Sequence, residues 1–126
     1  MKNDTIQSIR PSPHIPLSQA VIAAGMVYVS GQVGFKPGTR ELAGDTLEAQ
    51  CLQTLANIDA LLLEAGSSRN KIVMCRAYLR DVEIDFPKFN KCYAEWLGDH
   101  RPARTTVGVE FGLKGILIEI DCIALA

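Results

Sequence analysis

Ile116-Leu117-Ile118-Glu119-Ile120-Asp121-Cys122-Ile123-Ala124 is the stretch whose alternation decides the fold. Successive side chains on a strand point to opposite faces, so Ile116, Ile118 and Ile120 share one side. Leu117 and Ile123 share the other with Glu119 and Asp121. Neither side is polar enough to be left in water. One needs cover from elements of the same chain, and the other, apolar with two carboxyls embedded in it, calls for a partner. The expectation is a homo-oligomer with Glu119 near the subunit boundary.

The cover for the first face comes from two helical stretches. Asp45 followed by Glu48 resembles a capping arrangement, after which Leu47, Cys51, Leu55, Ile58, Leu62 and Ala65 recur at steps of three and four, and Gly66 ends the run. A second helix is expected to be capped by Asp85, with Phe86, Phe89, Tyr93 and Leu97 on its apolar side, Pro87 in its first turn and Gly98 closing it. Strands are read at Leu17–Ala24 and Met26–Val29, broken at Ala24-Gly25, then at Ile72–Leu79, Arg104–Val109 and Ile116–Ala124. Gly34–Gly44 and Gly112–Gly115 are glycine-rich connections. The predicted order is β-β-α-β-α-β-β in one domain spanning residues 1–126, with residues 1–14 a flexible or peripheral segment. That is an α+β protein with a mixed sheet and two helices on one of its faces.

Composition bounds the function. A chain of 126 residues with 48% hydrophobic and 21% charged residues has the make-up of a single globular core, and thirteen basic against fourteen acidic side chains leave no bulk positive field for nucleic acid. No apolar run approaches the ~20 residues of a membrane span, and the opening residues lack a secretory pattern, so a cytoplasmic protein is expected. Cys51, Cys75, Cys92 and Cys122 are read as buried free thiols, and His14 and His100 as solvated loop residues. No metal site is expected from ligands so dispersed. The phosphate-cradling, dinucleotide and nucleophile-elbow patterns are absent, and no cofactor is expected.

What remains is a set of polar groups inside strand sequence: Ser30, Arg104, Thr106 and Glu119. A guanidinium matches a carboxylate through two parallel hydrogen bonds, which makes Arg104 the anchor for a small organic acid. A carboxyl on a half-buried strand has its pKa raised by desolvation, which suits Glu119 to passing protons. The competing reading is structural: Arg104 and Glu119 pair with each other or with Asp121. Ser30 has no histidine placed to activate it and reads as a turn or cap residue.

Val27-Tyr-Val-Ser30-Gly-Gln32, Asn57-Ile58, Phe89-Asn90 followed by Tyr93, Pro102-Ala-Arg104 and Ile118-Glu119-Ile-Asp-Cys-Ile-Ala124 together resemble the RidA/YjgF family, also called L-PSP endoribonuclease-like, from about Leu17 to Ala124. The resemblance implies a chorismate-mutase-like fold and a homotrimer with clefts between subunits. It also implies a cofactor-free enamine/imine deaminase acting on 2-aminoacrylate-type intermediates to give 2-oxo acids and ammonia. By the same resemblance Arg104 grips the substrate carboxylate, Glu119 positions water and manages protons, and Ser30, Gly31, Asn90 and Thr106 line the cleft. An already electrophilic imine needs orientation and a proton path rather than a strong nucleophile, which fits this inventory.

The sequence departs from the family pattern in three places. Leu17 replaces a common cleft tyrosine, Thr106 stands where close relatives carry cysteine, and Gly112-Leu113 replaces Leu-Pro. Leu17 makes the cleft more apolar, which points toward a larger imine, as in aminomuconate deaminases, or toward a ligand-binding regulatory trimer. Ribonuclease activity is the further alternative, and the balanced charge and absence of paired histidines speak against it.

Overall fold

The C-terminal alternation becomes a central strand of a six-stranded sheet, seen in a computed structural model that describes residues 5–126. In chain order the elements are β1 (Gln7–Pro11), β2 (Ser18–Ala23), β3 (Met26–Gln32), α1 (Leu47–Glu64), β4 (Ile72–Leu79), α2 (Val82–Leu97), β5 (Ala103–Gly108) and β6 (Ile118–Leu125). A short 3-10 turn at Arg69–Lys71 leads into β4. The strands are ordered β1-β2-β3-β6-β4-β5. β4 and β5, joined through α2, run parallel, and all other neighbours are antiparallel, so the sheet is mixed as expected.

One strand more is present than the pattern predicted. Gln7–Pro11, read as part of a flexible or peripheral segment, pairs with β2 from Gln7 opposite Ile22 to Pro11 opposite Ser18. Its single buried residue is Ile9, too little for a period, and Pro11 sits at an edge where its missing N–H costs no ladder bond. The start of that segment, residues 1–4, lies outside the described residues.

The helices cover one face. Leu55, Ile58 and Leu62 of α1 and Phe89 of α2 are fully buried with Val27, Val29, Cys75, Ala77, Ile118, Ile120 and Cys122 of the sheet. Truncating one of these large side chains to alanine costs about 2–5 kcal/mol. The four cysteines are free and buried in this layer. Thr46 caps α1, not Asp45: its Oγ1 accepts from Ala49 N at 3.1 Å. Gly66, at φ +80°, turns the chain out of the helix.

α2 begins one turn earlier than predicted. Asp81, rather than Asp85, is the cap, its side chain accepting from Ile84 N. Asp85 is consequently inside the helix and buried, and burial raises its carboxyl pKa. Pro87 therefore lies beyond the first turn, where it removes a helical hydrogen bond, and the helix nevertheless runs through it to Leu97. The packing of Phe89, Tyr93 and Leu97 into the core offsets that loss.

Buried Gln50 ties the glycine-rich connections to α1. Its Nε2 donates to Gly44 O and Gly115 O, and its Oε1 accepts from Leu117 N just before β6. The first connection passes so close to α1 that a β-carbon at Gly34 would lie 2.6 Å from Gln50 O. Among the described residues no helix is long and apolar enough to cross a membrane.

Candidate functional site

Each strand pairing fixes which face a candidate side chain occupies. Cys75 of β4 is opposite both Cys122 of β6 and Arg104 of β5, so Arg104 belongs to the helix-covered face. Thr106, opposite buried Ala77, shares that face. Glu119 is opposite Tyr78, an odd number of residues from Cys75, and therefore belongs to the uncovered face. Within one chain Arg104 and Glu119 are separated by the sheet itself.

Arg104 emerges at the margin of the helix layer into an aromatic cradle. Its guanidinium carbon is 4.9 Å from the Phe89 ring centroid, 5.1 Å from Tyr93 and 5.7 Å from Phe86. Rings hold a cation by their quadrupole and by stacking without occupying its N–H donors. None of the ion pairs of the described residues includes Arg104. Asn90 is one helical turn beyond Phe86, half-buried at the rim of the same stripe. Thr106 Oγ1 and Tyr93 Oη are buried without a hydrogen-bond partner. The Cys75 thiol lies against Tyr93, and burial raises the Tyr93 phenol pKa well above its ordinary value.

Glu119 occupies a second cluster. β3 carries a bulge between Val29 and Gln32 that places Gly31 against β6. A β-carbon on Gly31 would lie 2.1 Å from Glu119 Oε2, so the carboxyl rests directly over that glycine. Ser30, in the same bulge, donates its hydroxyl proton to Ser18 O at 2.6 Å, which keeps β2 and the preceding Leu17 beside it. Leu17 is 41% exposed. Gln32 Nε2 donates to Gln19 Oε1 and Ser30 O, fixing the far side of the bulge.

The structure removes the structural pairing considered for the two ionisable groups. Asp121 accepts from Arg76 Nε at 2.8 Å and Tyr78 Oη at 3.0 Å, and neither Arg104 nor Glu119 takes part. Glu119 has its pKa raised above the ordinary carboxylate range by burial first and by the neighbouring Asp121 charge second. A half-buried carboxyl of that kind carries a proton closer to neutrality than a solvated one does.

The candidate residues thus fall into two half-sites. Arg104, Thr106 and Asn90 gather where β5 meets α2; Glu119, Gly31, Ser30 and Leu17 gather on the open sheet face. Phe86 and Tyr93, as the walls of the arginine cradle, and Arg76 and Tyr78, as the donors that engage Asp121 beside Glu119, were not singled out from the sequence. Their roles depend on cross-strand and strand-to-helix partners, which residue spacing does not encode.

Other features of the chain are structurally accounted for. A cleft of about 530 Å³ is lined by Asp59, Leu63, Arg69 and Trp96, none of them a candidate site residue. Within it Asp59 accepts from both Arg69 and Trp96 Nε1, and Arg69 stacks on the Trp96 ring. His100, read as solvated, is half-buried with its Nε2 2.8 Å from Ile72 O. Among the described residues no group of three or more His, Cys, Asp or Glu is arranged to hold a metal ion.

A sequence profile of the family described as Endoribonuclease L-PSP matches residues 7–126. The chain belongs to this family. A relative from Pyrococcus horikoshii, a RutC family protein, is 39% identical over 124 residues, covering 98% of each chain. The mitochondrial protein mmf1 of Schizosaccharomyces pombe is 42% identical over 123 residues, covering 95% of this chain and 74% of that one. Among solved structures, RidA from the Antarctic bacterium Psychrobacter sp. superposes with a TM-score of 0.84 at 37% identity, covering 98% of this chain and 99% of its own. Family membership accounts for the mixed sheet and helix layer and confirms the RidA/YjgF resemblance of the motifs.

Proposed function

We propose that this chain is a cofactor-free enamine/imine deaminase that hydrolyses 2-aminoacrylate-type or related imine acids to 2-oxo acids and ammonia. The observation that carries the reading is the pair of unspent ionisable groups on opposite sheet faces. Among the described residues, Arg104 is held by aromatic rings and takes part in no ion pair, and Glu119 has no side-chain hydrogen-bond partner over Gly31. Groups so placed meet only where the open face of one copy abuts the β5–α2 margin of another. The reading therefore requires an oligomer, and a homotrimer with a cleft at each boundary supplies a closed arrangement of identical interfaces.

In such a cleft Arg104 takes the substrate carboxylate in a bidentate grip. Asn90 and Thr106 hydrogen-bond the remaining polar atoms, and the Gly31 backbone gives the reacting carbon close access to Glu119. Protonated Glu119 delivers its proton to C3 of the enamine, giving the iminium. The resulting carboxylate takes a proton from the water that adds to C2; the hydroxyl proton of the tetrahedral adduct then passes to its nitrogen as the carbonyl forms, and ammonia leaves to give the 2-oxo acid. Glu119 ends the cycle protonated, as it began. A carboxyl with a raised pKa suits both steps near neutral pH. Leu17 makes the mouth of the cleft apolar and favours substrates with a larger side chain over the smallest imine. The setting we assign is cytoplasmic amino-acid metabolism.

The test is to generate imines from several amino acids with an amino-acid oxidase and to follow their disappearance. Wild type accelerates hydrolysis, while Arg104→Ala and Glu119→Ala do not. A wild-type rate equal to buffer across the panel rejects the deaminase and favours a ligand-binding regulatory trimer, for which the apolar Leu17 is the supporting feature. The family description carries a second enzymatic reading, RNA cleavage. Cleavage that survives repurification and Arg104→Ala supports that separate activity.

A further inference from the structure

On the open sheet face, two donors that could reach Glu119 are engaged elsewhere. Tyr78 is the residue directly opposite Glu119 across the β4–β6 ladder, and Arg76 is directly opposite Asp121. Both nevertheless serve Asp121: Arg76 Nε donates to Oδ1 at 2.8 Å and Tyr78 Oη reaches diagonally to Oδ2 at 3.0 Å. Diagonal neighbours on a sheet face lie within reach of long side chains, so the same phenol has access to either carboxyl. The Asp121 side chain is only 15% exposed, whereas that of Arg76 is 59% exposed, so the pair is anchored at the aspartate.

We propose that Asp121 is a positioning residue for Glu119: by engaging Tyr78 and Arg76 it keeps both donors off Glu119 and leaves that carboxyl unpartnered over Gly31. This rests on the deaminase reading for its catalytic consequence, but not for its physical content.

The ionisable surroundings of Glu119 are few. β4 contributes Arg76 and Tyr78, and Arg80 just past its end donates its backbone N–H to Leu117 O and so flanks Tyr78 on the other diagonal; β6 contributes Asp121, and β3 contributes Tyr28 with the uncharged Ser30 and Gly31. β5, beyond β4, brings Thr105 and Val107 opposite Arg76 and Tyr78, neither of them charged. In the assembled cleft the second copy's Arg104 is the remaining charge, brought in with the substrate acid. Removing Asp121 acts on Glu119 in two ways with one sign. It deletes a like charge two residues along the same face, and it frees a phenol and a guanidinium to turn toward Glu119. Each favours the ionised carboxylate and lowers its pKa from the raised position that burial and Asp121 now give it.

The experiment follows the Glu119 carboxyl carbon by NMR in the full-length protein labelled with 13C at glutamate Cδ, assigned with Glu119→Gln. In Asp121→Ala the Glu119 titration midpoint falls by about one pH unit or more. In Asp121→Glu, which retains charge and both donors, it stays near wild type. Tyr78→Phe combined with Arg76→Met, which removes both donors but leaves Asp121, does not lower it. The acid limb of the kcat/KM profile for imine hydrolysis moves with the midpoint in Asp121→Ala, with KM little changed because the acid is held by Arg104. If Asp121→Ala does not fold, Asp121→Asn tests the charge alone and lowers the midpoint by a smaller amount. An unmoved midpoint in the folded variant overturns the proposal. A lowered midpoint without any imine hydrolysis in wild type leaves the proposal standing and rejects the deaminase.

Discussion

Arg104 and Glu119 stand on opposite faces of one sheet: Arg104 is opposite Cys75 under the α2 aromatics, and Glu119 is opposite Tyr78 on the uncovered face. The sheet backbone therefore bars them from a shared ligand within one chain. Any chemistry that uses both is chemistry of an interface. Light scattering at a mass near one chain contradicts this account; a mass near three chains agrees with it.

Gly31 and Gly34 separate function from folding. A β-carbon at Gly31 overlaps only the tip of the Glu119 side chain, 2.1 Å from Oε2, which can swing aside. Gly31→Ala is expected to fold with a stability loss of under about 1 kcal/mol while, on the deaminase reading, imine hydrolysis falls by roughly 10- to 100-fold, since that reading makes the displaced group the proton carrier. At Gly34 the obstacle is backbone, Gln50 O at 2.6 Å and Gln50 Cα at 2.9 Å. Gly34→Ala is expected to cost about 1–3 kcal/mol. Denaturant melts and rates on both variants check the contrast, and a Gly31→Ala enzyme of full activity contradicts the placement of Glu119.

Arg104→Lys is not a conservative change here. The aromatic walls at 4.9, 5.1 and 5.7 Å match a flat delocalised cation, and a point-like ammonium gives neither the stack nor the bidentate fork. A rise in KM for acidic imines of about 10-fold or more is expected, with the melting temperature shifted by no more than a few degrees because no ion pair is broken. Rates comparable to wild type would remove Arg104 from the carboxylate grip.

Glu119→Gln carries a signed pH dependence. The folded carboxyl has a raised pKa, so between the unfolded and folded values the native state binds more protons than the unfolded chain. Wild type therefore loses stability as pH rises through that window. The glutamine variant does not. Its melting temperature is expected to exceed that of wild type at neutral pH and to converge on it in acid below the unfolded glutamate value, about 4.3. A constant difference at all pH values contradicts the raised pKa.

Much of the fold was legible because its long elements are periodic. The steps from Leu47 through Leu62 and the alternation from Ile118 to Ala124 each appear as buried faces in the structure. β1 was missed because Ile9 is its one buried residue and its strand state depends on β2. The start of α2 was misplaced because Asp81 and Asp85 are both plausible caps one turn apart, and proline after Asp85 favoured the wrong one. For the site, Arg104 and Glu119 were visible as charges inside strand sequence. That they lie on opposite faces was not, because β6 inserts between β3 and β4 and no local pattern announces the insertion. The Asp121 network was hidden for the same reason, since Arg76 and Asp121 are neighbours only across that ladder.

The most direct test of a shared site mixes two inactive variants. Arg104→Ala keeps Glu119 and Glu119→Gln keeps Arg104, so a cleft between one of each can contain both intact groups. Equal amounts, unfolded and reassembled together, give random closed assemblies in which about a quarter of the boundaries are wild type. The account predicts that imine hydrolysis returns to about that fraction of the wild-type rate, while each variant reassembled alone stays inactive. A mixture as inactive as its components, in assemblies shown to contain both chains, contradicts it.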